Sequence, residues 1–152
     1  MRLARTKKGC GILKKTRQLL KILQEQLDLC NYYLEIQNKK TRSLVSGDIK
    51  LLDAILRDDQ SFVMRMEGLE NRRNELLEEM ELSNVTISEV IARHVEDDYK
   101  EQYKQVFEAL SDVLGKLKKV NELNQKLLKQ RLAVVDRILQ NSTAVKDADS
   151  RI

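Results

Sequence analysis

The sequence predicts an all-α protein: an elongated antiparallel three-helix bundle of coiled-coil character, with a short extra helix between the second and third long helices. Three observations predict it. Proline is absent from all 152 residues, where an average chain has about 5%, so little interrupts a helix. Apolar residues recur at three- and four-residue steps through three long stretches, which is the spacing of one helical face. Two short turn signals, Val45-Ser46-Gly47-Asp48 and Leu82-Ser83-Asn84-Val85, separate those stretches, and long helices joined by short turns fold back on one another.

The elements follow in order. Residues 1–13 lack apolar periodicity and contain Gly9 and Gly11, which reads as a flexible basic leader. The first helix runs from about Lys14 to Leu44, carried by Leu19, Ile22, Leu23, Gln26, Leu29 or Cys30, Tyr33 and Ile36. Gly47 supplies a left-handed C-cap, and Ser46 or Asp48 can cap the next helix. The second helix extends from about Asp48 to Glu81. Asp59 and Arg73 lie on its apolar stripe, too far apart to meet, so each needs a partner on another helix or a place at the rim. Thr86-Ile87-Ser88-Glu89 is a capping box that opens a short helix ending near His94. A break is expected around Glu96-Asp97-Asp98, where the apolar phase slips. The last helix then runs to Gln140, and residues 141–152 read as a disordered polar tail. Tyr33 and Tyr103 fall on helix stripes, with their hydroxyls expected at the rim.

Composition excludes several classes of function. Residues 1–17 hold seven basic residues and no acid, which leaves 21 of the 28 basic residues against all 24 acidic ones elsewhere, a net of −3. A polyanion-binding body is thereby excluded, and no nucleic-acid partner is expected. His94, the single histidine, has no Ser or Cys beside it for a nucleophile–base pair. Gly9-Cys10-Gly11 lacks the context of a phosphate loop, and Cys10 with Cys30 makes neither a disulfide framework nor a metal-ligand spacing. The residues therefore predict no enzyme, no cofactor and no metal site. No run approaches the roughly 20 apolar residues of a membrane span, and no signal-peptide core is present, so the expected location is cytoplasmic.

The last helix is the informative segment. Val106, Val113, Val120, Leu127 and Val134 repeat every seven residues. Leu110, Leu117 and Ile138 form a second column that includes Asn124 and Arg131. Phe107, Leu114, Leu128 and Val135 form a third that includes Asn121. Such columns demand partner helices, and asparagines within them fix a register or face a groove. Between Leu127 and Leu139, eight of thirteen residues are apolar. This helix is about ten residues longer than the second, an overhang of roughly 15 Å. The surplus face suits three occupants: the first helix, a second copy in a homodimer, or an amphipathic helix of a client.

Two segments resemble the FlgN family of flagellar export chaperones. Leu44-Val45-Ser46-Gly47-Asp48-Ile49, continuing to Leu69-Glu70-Asn71-Arg72-Arg73, is similar to the family's turn and second helix. Val120-Asn121-Glu122-Leu123-Asn124-Gln125-Lys126-Leu127-Leu128 looks like its Asn-x-x-Asn-x-x-Leu-Leu signature. The likeness spans about residues 15–140. It implies a cytoplasmic type III export chaperone that binds the C-terminal helical segments of hook–filament junction (hook-associated) proteins and keeps them soluble. Carried over residue by residue, it places client binding on Asn121, Asn124, Leu127 and Leu128. Arg131, Val135 and Ile138 are added on physical grounds. Some relatives carry a Tyr-Gly motif in the tail for docking at the flagellar export gate; residues 141–152 hold neither residue type, which leaves that route without its motif. The alternative reading is a small coiled-coil scaffold or self-associating helical bundle.

Overall fold

The computed structural model describes the backbone of residues 2–150 and the side chains of residue 11 and residues 14–143. Four helices follow in order: α1 (Arg2–Ser46), α2 (Ile49–Glu79), α3 (Ile87–His94) and α4 (Asp97–Ser150). No strand occurs among the described residues. The all-α architecture with a short helix before the last long one is the one the sequence predicts.

Two helix bounds differ from the periodicity. α1 begins at Arg2 instead of near Lys14, and α4 continues to Ser150 instead of ending at Gln140. Residues 2–13 and 141–150 therefore lie within helices, although the side chains of residues 2–10, 12–13 and 144–150 are outside the described set. Apolar periodicity marks only where a helix packs. Once nucleated, backbone hydrogen bonding propagates into polar sequence that contains no proline.

α1 and α4 run parallel and α2 antiparallel to both. The main packing is α1 against α4 and α1 against α2, while α2 and α4 hardly approach one another. α1 is thus the central strut. Leu19, Leu23 and Cys30 of α1, Leu69 and Leu76 of α2, and Tyr103, Val106, Leu110 and Val113 of α4 belong to one apolar core. Val90 and Ile91 of α3 and the following Val95 close its end. This core occupies the half of the bundle nearest α3. Tyr103 is fully buried in the core and its hydroxyl donates to the Thr16 carbonyl, so the hydroxyl does not lie at the rim as expected. Once the ring is buried, its hydroxyl needs an internal acceptor.

The helix ends follow local chemistry. Asp48 caps α2, accepting from the Leu51 N–H at 3.0 Å, and Thr86 caps α3 by accepting from the Glu89 N–H at 3.3 Å. Val95 is extended, with φ −95° and ψ 136°, which makes the break before α4 that Glu96-Asp97-Asp98 suggested. At the end of α1, Gly47 takes φ 78° and its N–H reaches the Ser43 carbonyl at 2.8 Å. At the end of α2 the left-handed position is occupied by Glu81, φ 59°. Its N–H bonds the Glu78 carbonyl at 2.9 Å, and Leu82 N–H bonds the Leu77 carbonyl at 2.8 Å, a Schellman motif without its usual glycine. Buried Leu77 and Leu82 belong to the core on either side of it, which holds the strained residue in place.

A left-handed non-glycine residue costs about 1–2 kcal/mol, partly offset in glycine by greater unfolded-state freedom. Glu81→Gly is therefore expected to raise the unfolding free energy by about 0.5–1 kcal/mol, measured by urea denaturation. A lower midpoint would mean that the Glu81 side chain contributes a contact worth more than the strain.

Candidate functional site

The half of the bundle away from α3 is held by polar groups. Asn124 on α4 is 1% exposed. Its amide donates to the Gln37 backbone carbonyl at 3.1 Å and to Gln37 Oε1 at 3.2 Å, while its own oxygen accepts from the Thr41 hydroxyl at 2.6 Å. Gln37, fully buried, donates in turn to Asp59 Oδ1 on α2 at 2.7 Å, and Lys40 pairs with Asp59 Oδ2 at 2.7 Å. Burial and the Asp59 carboxylate push the Tyr33 hydroxyl well above its ordinary pKa. The Tyr33 ring stacks on Phe62 with centroids 3.7 Å apart. Three helices are thereby tied through one connected network, so the partner required by Asp59 is supplied by α1. Arg73 pairs instead with Glu70 on its own helix at 3.1 Å, half-buried at the rim.

Two turns further along α4, Arg131 closes the end of α1. Its Nε donates to the Leu44 carbonyl at 2.7 Å and a terminal nitrogen donates to the Val45 carbonyl at 2.6 Å. A cation at a helix C-terminus satisfies orphan carbonyls and complements the helix dipole. Gly47 passes close beneath: a Cβ built there would stand 3.4 Å from the guanidinium.

Beyond this cap the described residues of α4 have no packing partner. The α1–α4 register places Ser46 near residue 133 of α4, so the helix runs roughly 25 Å past the α1–α2 turn. From Leu128 to Thr143 every residue is exposed, including Leu132, Val134, Val135, Ile138 and Leu139. The overhang is longer than expected, because the α4 backbone does not stop at Gln140.

A groove of about 350 Å³ lies between α2 and α4. Its floor is α1, at Gln26, Cys30 and Tyr33. Phe62, Met66 and Glu70 form one wall, and Leu110, Leu114 and Asn121 the other. Burial pushes the Cys30 thiol up to about 11, which keeps it an inert hydrophobe. Gln26 is 2% exposed; its amide nitrogen touches only the weak acceptor Met66 Sδ at 3.7 Å. Its Oε1 has no hydrogen-bond partner among the described residues. Among these residues no cluster of His, Cys, Asp and Glu could hold a metal, and no helix is long and apolar enough to cross a membrane.

The described surface thus combines an exposed apolar helix face with a groove. The FlgN protein family model matches residues 15–151. The chain belongs to the FlgN family. It is also 35% identical over 119 residues to the "Uncharacterized protein YvyG" of Bacillus subtilis (strain 168), covering 75% of this chain and 74% of that one. No solved structure matches it. FlgN proteins are a chaperone family and not an enzyme family, and membership points to a flagellar export chaperone.

Within this FlgN-family chain the signature residues divide. Asn124 and Arg131 are turned inward to α1, where they hold the bundle together. Leu127 is half-buried. Asn121 and Leu128 are exposed, as are Val135 and Ile138, and Asn121 also lines the groove. Sequence reasoning singled out none of the groove's other residues as a site. One signal was available: Gln26 is a polar residue in the middle of an apolar stripe.

Asn124→Ala leaves Gln37 and Thr41 without their buried partner and is expected to cost about 2–3 kcal/mol of stability. Arg131→Ala, nearer the surface, should cost about 1 kcal/mol, and Leu139→Asp almost nothing. Denaturant unfolding of the three variants checks the order.

Proposed function

We propose that this FlgN-family protein is a cytoplasmic flagellar type III export chaperone. It captures the C-terminal helical segments of hook–filament junction (hook-associated) proteins and keeps them soluble and export-competent. The observation that carries this reading is the bare apolar face from Leu128 to Leu139, which begins beside the last turn of α1 and continues past its end. A free helix end of this kind takes up an amphipathic helix by apolar burial at about 25 cal/mol per Å², with no need for nucleotide or metal. The residues proposed to touch the client are Asn121, Leu127, Leu128, Val135 and Ile138. Asn124 and Arg131 enter the same proposal as residues that position α4 against α1.

A second reading is favoured by the same observation, since a second copy would also cover that face and give a homodimeric scaffold. Light scattering separates the two: a monomer that becomes a one-to-one complex on adding client supports the chaperone.

The test is calorimetry with the C-terminal segment of the junction protein from the same organism. Leu132→Asp and Leu139→Asp are expected to weaken binding at least tenfold, about 1.4 kcal/mol, with the helical circular dichroism unchanged. Unaltered affinity in both folded variants would sink the reading.

A further inference from the structure

The groove and the bare end of α4 are one surface. Leu114 and Asn121 line the groove, and Leu128 and Val135 follow them on α4 at the same seven-residue interval. On the facing wall Glu70 lines the groove, and Val63, Leu56 and Ile49 precede it on α2 at that interval. Residues seven apart share a helical column. α2 runs antiparallel to α4, so both columns lead toward the α1–α2 turn. Leu114, Leu128 and Val135 on one wall and Val63, Leu56 and Ile49 on the other are all exposed. Two facing apolar columns over a third helix leave the position of a fourth helix in a bundle.

We propose that the α2–α4 groove and the α4 column Leu114–Asn121–Leu128–Val135 form one continuous seat for a single amphipathic helix of the exported client. That helix brings a neutral hydrogen-bond donor over Gln26 and acidic residues toward Lys118. This rests on the export-chaperone reading and specifies the client it accepts. The column spans roughly 32 Å, so the occupant is a helix of about 20 residues. Gln26 Oε1 is buried without a partner, and native proteins seldom leave such an acceptor unmatched. A lysine donor there would carry a charge into the interior at high cost, so the matching client residue is Asn, Gln, Ser or Thr within its apolar stripe.

Charge selects the client over a second copy of this chain. Lys118 stands at the groove and makes no ion pair among the described residues. The long exposed stripe this chain could offer to a copy of itself, Leu128 to Leu139, is flanked by Lys126, Lys129, Arg131 and Arg137 against the single acid Asp136. It would set like charge against Lys118.

The experiment uses the full chain and the junction-protein segment named above. Leu114→Asp, far from the overhang, is expected to weaken binding at least tenfold. Gln26→Leu is expected to raise the melting temperature of the free chain while weakening client binding about tenfold. A Gln26 that merely held the fold would lower the melting temperature and leave affinity alone. If Leu139→Asp abolishes binding while Leu114→Asp and Gln26→Leu bind like wild type, the groove is overturned and the export-chaperone reading stands. If the unmutated chain binds no segment, that reading falls and takes the groove with it. Should Leu114→Asp not fold, a benzoylphenylalanine placed at Leu114 is expected to crosslink to the client, whereas one at Leu123 is not. Crosslinks from Leu114 to a second copy, or none, would overturn the seat.

Discussion

The structure depends on one constraint, the fixed register between α1 and α4. Three polar ties set it: the Tyr103 hydroxyl on Thr16, Asn124 on Gln37, and Arg131 on Leu44. Each joins residues 87 apart in sequence. Two parallel helices with apolar stripes can slide by a turn at modest loss, because burial is non-directional. Hydrogen bonds to buried carbonyls cannot slide, since a displaced donor leaves both groups unsatisfied. The ties are spread along the interface, one in the apolar half, one in the polar half and one at the end of α1. They make the length of α4 beyond Gly47 a defined quantity.

That register determines what the protein presents. With Arg131 locked on the α1 carbonyls, the described residues after it on α4 are all exposed. Among the described residues, α1 is also the helix that packs broadly on both α2 and α4. The space between α2 and α4 is therefore walled by two helices that do not close on one another. Stability and binding capacity have a common origin: the residues that hold α4 on α1 are those that leave its other flank bare. Asp59 adds to this by tying α2 to the polar half of α1 through Gln37 and Lys40, which fixes the second wall.

Much of this was legible in the sequence. The stripes of α1 and α2, the Gly47 turn, the Thr86 cap and the break near Glu96 all follow from local chemistry. Local chemistry also showed that Asp59 needs a partner on another helix or a place at the rim. The helix ends at Arg2 and Ser150 were not legible, because neither has a breaker or a change in packing to mark it. Glu81 in the left-handed position was not legible either, since nothing in its side chain asks for that conformation. Gly47, by contrast, announces its own turn.

The division between Asn121 and Asn124 shows where local reading ends. They are three residues apart, a rotation of about 60° from the same face, and both sit in columns of apolar residues. By itself the sequence determined that the last helix carries an apolar face with two asparagines in it, and that this face must meet another helix. Periodicity is a property of one segment, and it is enough to establish that much. Only the tertiary structure decided which asparagine is sealed against Gln37 and which stands at the open groove. It alone decided that Arg131 caps a helix 86–87 residues away and that the Gln26 side-chain oxygen, at the groove, has no partner among the described residues. Those outcomes depend on where a second and a third helix lie around the first, and no segment's own spacing contains that information.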